Sequence, residues 1–115
     1  MANTFKVVTK AGVPSEDVIY TVAGSTTTVV LGIMLGNTTM SQVTATVTLD
    51  TNTGSRAGNN DESNQAVELV TNAPIPSGSS LELLAGNNVV METTDALKLT
   101  ASGATDITVS IMEIT

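Results

Sequence analysis

Between Gln42 and Leu49 the chain alternates apolar and hydroxylated residues without a break, with Val43, Ala45, Val47 and Leu49 in one phase and Thr44, Thr46 and Thr48 in the other. Successive side chains of an extended strand point to opposite faces, so this pattern gives one face to a core and the other to water. A helix would spread the same apolar positions around its whole circumference. Thr supplies 20 of the 115 residues, and this β-branched bias suits a pleated, half-buried surface.

Strand signals recur about every ten residues along the chain, the spacing of a sandwich or barrel. They fall at residues 5–9, 18–22, 26–35, 42–49, 66–70, 80–84, 89–92, 96–100 and from Ile107 onward. Residues 29–35 are apolar in both phases, which predicts a strand covered on both sides, either as a central strand of the fold or with its outer face buried by another subunit. Gly36-Asn37 supplies turn chemistry and predicts a hairpin from this strand into the next. Pro74 and Pro76 lack amide donors, so residues 72–78 are expected to lie outside any sheet. In the last strand Ile107, Val109 and Ile111 hold one phase and Met112 and Ile114 the other, so either a bulge resets the register or both faces are covered. Residues 51–64 carry almost no apolar side chain and predict a long exposed loop. The expected fold is a single all-β domain over residues 1–115, an antiparallel β-sandwich with jelly-roll topology as a candidate.

The core of such a sandwich has to be aliphatic, because Trp is absent and Phe5 and Tyr20 are the only aromatic residues. Cys and His are both absent, which excludes disulfides, thiolate nucleophiles, Cys/His zinc sites and the commonest general base. The net charge of −7, from Lys6, Lys10, Arg56 and Lys98 against eleven acids, lacks the basic footprint of a nucleic-acid or anionic-membrane partner. The first residues have no apolar signal-peptide core, and the run from Val29 to Leu35 is too short to span a bilayer, so synthesis in the cytoplasm is expected.

No residue pattern carries catalysis. Glu16-Asp17 follows a Pro turn, and Glu92 and Asp95 flank a hairpin turn in which Asp commonly bonds its own backbone. Asp50-Thr51-Asn52-Thr53-Gly54 with Asp61 loosely follows a calcium loop, but the sixth position is Ser55 and the twelfth is Asp61 where Gly and Glu are needed. No Gly-rich stretch opens a helix to cradle phosphate, and two aromatics leave little for a sugar to stack on. No catalytic residue, metal site or cofactor is expected, and the chain reads as a protein other than an enzyme.

Residues 17–32, Asp17-Val18-Ile19-Tyr20-Thr21-Val22-Ala23-Gly24-Ser25-Thr26-Thr27-Thr28-Val29-Val30-Leu31-Gly32, followed by Leu35-Gly36-Asn37-Thr38-Thr39, resemble the opening of small virion structural proteins of phages that infect cyanobacteria and other aquatic bacteria. Asn72-Ala73-Pro74-Ile75-Pro76-Ser77-Gly78-Ser79-Ser80-Leu81, Asp95-Ala96-Leu97-Lys98-Leu99-Thr100 and the terminal Ile111-Met112-Glu113-Ile114-Thr115 are similar to the second half of the same proteins. The resemblance implies a virion component. The first expectation is a capsid decoration or cement protein on the outer shell that bridges major capsid protein subunits, with a homotrimer favoured on symmetry. The alternatives are a neck, tail or fibre component, or a host-surface binding module. The expected contact residues are Phe5 in the N-terminal segment, Val29, Leu31, Ile33 and Leu35 in the two-sided strand, Pro74, Ile75 and Pro76 in the proline loop, and Met112 and Ile114 at the end of the chain.

Overall fold

Strands with one apolar face bury it by packing sheet on sheet, and this chain does so with two antiparallel sheets. The computed structural model describes residues 2–13, 15–52, 65–84 and 87–115. They form β1 (Asn3–Val13), β2 (Asp17–Thr21), β3 (Thr27–Asn37), β4 (Val43–Asp50), β5 (Ala66–Ile75), β6 (Ser80–Leu83), β7 (Val89–Met91), β8 (Ala96–Ala101) and β9 (Thr105–Ile114). Sheet A has the order β1-β9-β3-β6, with β7 also beside β3, and sheet B the order β2-β8-β4-β5.

The pairings nest. β1 lies against β9, β2 against β8, β3 against β6 and β7, and β4 against β5, as if one long hairpin had been rolled up. The contacts β3 to β9 and β4 to β8 close the roll into two sheets. This is jelly-roll topology. The core between the sheets is aliphatic, with Val30, Ile33 and Leu35 of β3, Val43, Ala45 and Val47 of β4, Leu97 and Leu99 of β8, and Ile107, Val109 and Ile111 of β9 all buried.

Several expectations are corrected. β3 is not covered alike on its two faces. Its register shifts between Val30 and Gly32, so Thr28 and Val30 point inward before the shift, and Ile33, Leu35 and Asn37 after it. The unbroken apolar run is two strand patterns of opposite phase joined at a bulge, which puts Met34 on the outside. Gly36-Asn37 makes no hairpin, because β3 and β4 belong to different sheets. Buried Asn37 instead anchors the crossover: its Nδ2 donates to the carbonyls of Ser41 and Ile75, both at 2.8 Å, and its Oδ1 accepts from the Thr39 amide at 2.8 Å. Thr93-Thr94-Asp95 likewise joins sheet A to sheet B, although Asp95 does accept from the Glu92 amide at 3.0 Å as expected of a turn residue.

Pro74 sits within β5, opposite Thr44. It is tolerated there because β5 is an edge strand and a proline can face the unpaired side. β1 runs on to Val13 through Gly12, whose positive φ of 63° accommodates the register shift between Lys10 and Val13. At the other end of the chain β9 has no bulge. Its pairing with β1 is continuous from Ile107 to Ile114, so Met112 and Ile114 lie on the outer face of sheet A and Glu113 continues the inward phase. Of the expected loop, Thr51 is buried and donates its hydroxyl to the Gln65 carbonyl, while residues 53–64 lie outside the described residues.

The bulge makes a sharp prediction about two adjacent residues. Leu35→Ala should cost about 2–5 kcal/mol in denaturant unfolding, whereas Met34→Ala should cost under about 1 kcal/mol. Equal costs would contradict the register of β3.

Candidate interaction surface

The two outer faces of the sandwich differ in chemistry. On sheet B the outward residues of β4 are Thr44, Thr46, Thr48 and Asp50, flanked by Lys98 and Thr100 on β8 and Glu68 on β5. Thr46 bonds to Asn72 across the sheet, its Oγ1 accepting from the Asn72 amide at 2.9 Å, and Lys98 pairs with Asp50 at 3.1 Å. That hydrogen bond and charge pair hold the Lys98 ammonium above its ordinary range. This face suits water.

Sheet A presents the opposite character. Cross-strand register aligns Phe5 of β1 with Met112 of β9, Met112 with Val29 of β3, and Val29 with Val90 of β7. Phe5 is 72% exposed and Val90 58%, while Met112 and Val29 are half-buried. Val7 adds to this row at 63% exposure, and Met34 lies further along β3. At about 4.8 Å between strands and about 7 Å per residue pair along them, the row and its neighbours span on the order of 300 Å². A contiguous apolar patch of that size on a small protein is often a contact site.

Beside the row, where β6 gives way to β7, the face sinks into a depression of about 310 Å³ lined by Leu31, Gly32, Met34, Leu84, Thr108 and Ser110 among others. The β3 bulge is its origin, since Leu31 is displaced from the ladder and Gly32 brings no side chain to fill the space. Of the charged groups on this outer face, Glu82 lines the depression opposite Met34 and Asp106 lies further along β9, and both are acidic.

A polar network closes the sandwich behind the apolar row. Tyr20 on β2 reaches from sheet B to sheet A, where its hydroxyl donates to Glu113 Oε2 at 2.6 Å and lies 2.7 Å from Thr28 Oγ1. Glu113 in turn accepts from Lys6 at 2.8 Å. Lys6 first, and then Tyr20, hold the Glu113 carboxyl below its ordinary value. Burial, reinforced by the neighbouring carboxylate, pushes the Tyr20 phenol up to about 12. The network ties β1, β2, β3 and β9 together at one end of the roll. Among the described residues no group of three or more His, Cys, Asp or Glu side chains could hold a metal. The calcium-like segment lies largely within residues 53–64, and its Asp50 is bound to Lys98.

The expected contact residues separate into three groups. Phe5, Val29, Leu31, Met112 and Ile114 come together on the outer face of sheet A. Pro74 and Pro76 are exposed on and just after β5 in the other sheet, apart from that face. Ile33, Leu35 and Ile75 are buried inside the sandwich and are unavailable to a neighbour. Sequence reasoning passed over Val7 and Val90, whose only signal was their phase within short strands, and Met40, 98% exposed on the crossover after Asn37.

No family model matches the chain, and no curated protein matches it in sequence. Two solved structures are similar to it. A chain of the T13 IBDV viral particle superposes with a TM-score of 0.51 at 10% identity, over 96% of this chain and 35% of its own length, so the present chain spans about a third of that protein. A chain of the disulfide-linked pili formed by Bacillus endospore appendages aligns over 99% of this chain and 87% of its own, with a TM-score of 0.47 and 14% identity. At 10% identity the likeness to the viral-particle chain is one of fold.

The network lends itself to a direct optical test, because Tyr20 is the chain's one tyrosine and there is no tryptophan. Ultraviolet titration of the folded protein should show phenolate forming near 12. A folded-state midpoint near the ordinary value of 10 would mean that the hydroxyl is not engaged. The raised value also fixes the sign of the alkaline dependence. The stabilisation by neutral Tyr20 is complete below about 10 and is lost as pH rises toward 12, and Tyr20→Phe should remove that loss.

Proposed function

We propose that the chain is a non-enzymatic structural component of a bacteriophage particle, a decoration or cement protein that lays the outer face of sheet A on the coat and bridges neighbouring capsid subunits. The observation that carries this reading is the asymmetry of the two outer faces. One is hydroxylated and charged, and the other holds an apolar row with a depression beside it. Gathering Phe5, Val7, Val90 and Met112 on one face, and threonines and charges on the other, fits a contact surface on the first and water on the second. The sequence resemblance to small phage virion proteins supports the same reading. So does a jelly roll, the architecture of many capsid domains and one shared in fold with a chain of a viral particle.

The physical work of such a protein is simple. Covering Phe5, Val7 and Val90 removes apolar area from water, at roughly 1.5–3 kcal/mol for each large side chain fully buried. That free energy adds to the cohesion of the shell when the covered surface spans two coat subunits. The acidic remainder of the molecule then faces outward and keeps particles apart. Attachment at the neck, tail or a fibre would use the same face in far fewer copies, and particle stoichiometry separates the two positions.

The test is binding of purified chain to capsids that lack it. Val90→Glu places a carboxylate at the β7 end of the row and should weaken binding at least about tenfold, because the charge would be buried without a partner. Thr100→Glu makes the same charge change on the exposed face of sheet B and should leave binding intact. Equal effects, or binding by neither variant nor the parent, would remove the proposal.

A further inference from the structure

The four sheet edges are not equally protected. β2 has five residues and a register shift between Val18 and Tyr20. β5 is broken by two register shifts and carries Pro74. The far edge of sheet A is split into β6 and β7, of four and three residues. These are the devices by which proteins keep a sheet from adding strands: short edges, bulges and proline. β1 has none of these three over residues 3–10; its charges, Lys6 and Lys10, are both held in ion pairs within the chain. Its register against β9 runs unbroken from Asn3 to Lys10, and the strand is exposed along almost its whole length.

The phase of the open edge follows from the hydrogen bonding at the end of the ladder. The amides of Ala2 and Thr115 each donate to the other's carbonyl at 3.0 Å. Antiparallel pairs alternate between bonded and non-bonded, so Thr4, Lys6, Val8 and Lys10 spend their backbone groups on β9. Asn3, Phe5, Val7 and Thr9 direct theirs to the free side.

We infer that β1 is a docking edge for the β1 of a second copy of this chain, antiparallel about a two-fold axis. The four free residues are self-complementary when the axis passes beside Lys6, which sets Asn3 opposite Thr9 and Phe5 opposite Val7 of the second copy and uses every open donor and acceptor. Charge at this edge is balanced. Two copies that each carry −7 repel one another, and β1 holds Lys6 and Lys10, two of the chain's four cations. Those cations are tied to Glu113 and Asp17, at 2.8 and 2.7 Å, so the two Lys6 ammoniums that this register sets opposite each other are each already paired within their own chain. Pairing also carries the apolar row across the axis, since Phe5 and Val7 of both copies then lie side by side on one continuous sheet face. The two-fold pair replaces the three-fold arrangement expected from symmetry alone. It involves the sheet edge, whereas the proposed capsid contact involves the sheet face, so the two can fail separately.

The experiment is sedimentation velocity of the full chain with residue-resolved amide exchange, on the parent protein, Val7→Pro and Val90→Glu. Val7→Pro deletes an amide that β9 does not use, so it should fold, with Lys6 and Val8 still protected, and sediment as a monomer of 11.7 kDa. The parent and Val90→Glu should sediment as dimers, with Phe5 and Val7 amides protected in proportion to the dimer. If Val7→Pro does not fold, the exchange rates of the parent decide alone: fast exchange at Phe5 and Val7 in a dimer overturns the inference. So does a monomeric parent, including one whose Val7 amide becomes protected only when capsids are added, because the occupant would then be a coat strand. A dimer that survives Val7→Pro and is lost in Val90→Glu assigns self-association to the face and also overturns it.

Discussion

Closure of two sheets over a purely aliphatic core is the constraint on which the rest of the molecule depends. With no cysteine, no histidine and no tryptophan, the chain has neither crosslinks nor large aromatic anchors, and a domain of this size folds with a modest margin. Each strand must therefore present its inward phase without error. The bulge at Leu31 shows how strictly this is met. One displaced residue returns Ile33 and Leu35 to the interior after Val30, and the same displacement opens the depression on the outside. Core packing and surface shape are consequences of a single backbone irregularity.

Buried polar groups then fix what aliphatic packing leaves loose. Asn37 holds the crossover from sheet A to sheet B, and Asp95 accepts from the Asn52 amide at 2.7 Å while capping its own turn. Tyr20 joins the sheets through Glu113 and Thr28. Each is placed where the roll passes from one sheet to the other, the points at which backbone ladders end and side chains must satisfy what strands no longer do. Function, on this account, is left to the surfaces. The threonine face stays in water, and the apolar face and the β1 edge remain for partners.

Much of this was legible in the chain and some was not, for reasons visible in particular residues. The alternation from Val43 to Val47 reads directly as a strand, because period two survives any tertiary context. The run from Val29 to Leu35 misled because a bulge erases period two without adding a polar residue to announce itself. Asn37 looked like a hairpin residue because turn chemistry is the same whether a chain returns to its own sheet or crosses to another. Pro74 looked like a strand breaker because its tolerance depends on lying at an edge, which only the strand order reveals. Of the residues on the outer face of sheet A, Phe5, Val29, Met112 and Ile114 are singled out by their segments, but their union into one surface depends on cross-strand register. Ile33, Leu35 and Ile75 were drawn in by apolarity that serves the core.

The most direct measurement of the central claim is a cryo-electron microscopy reconstruction of the phage particle at a resolution that places side chains. The account predicts this chain on the shell with the outer face of sheet A buried, Phe5 and Val90 against coat protein, and Thr46 and Thr100 of sheet B facing solvent. A particle in which the threonine face is the buried one, or in which the chain is absent, would contradict it.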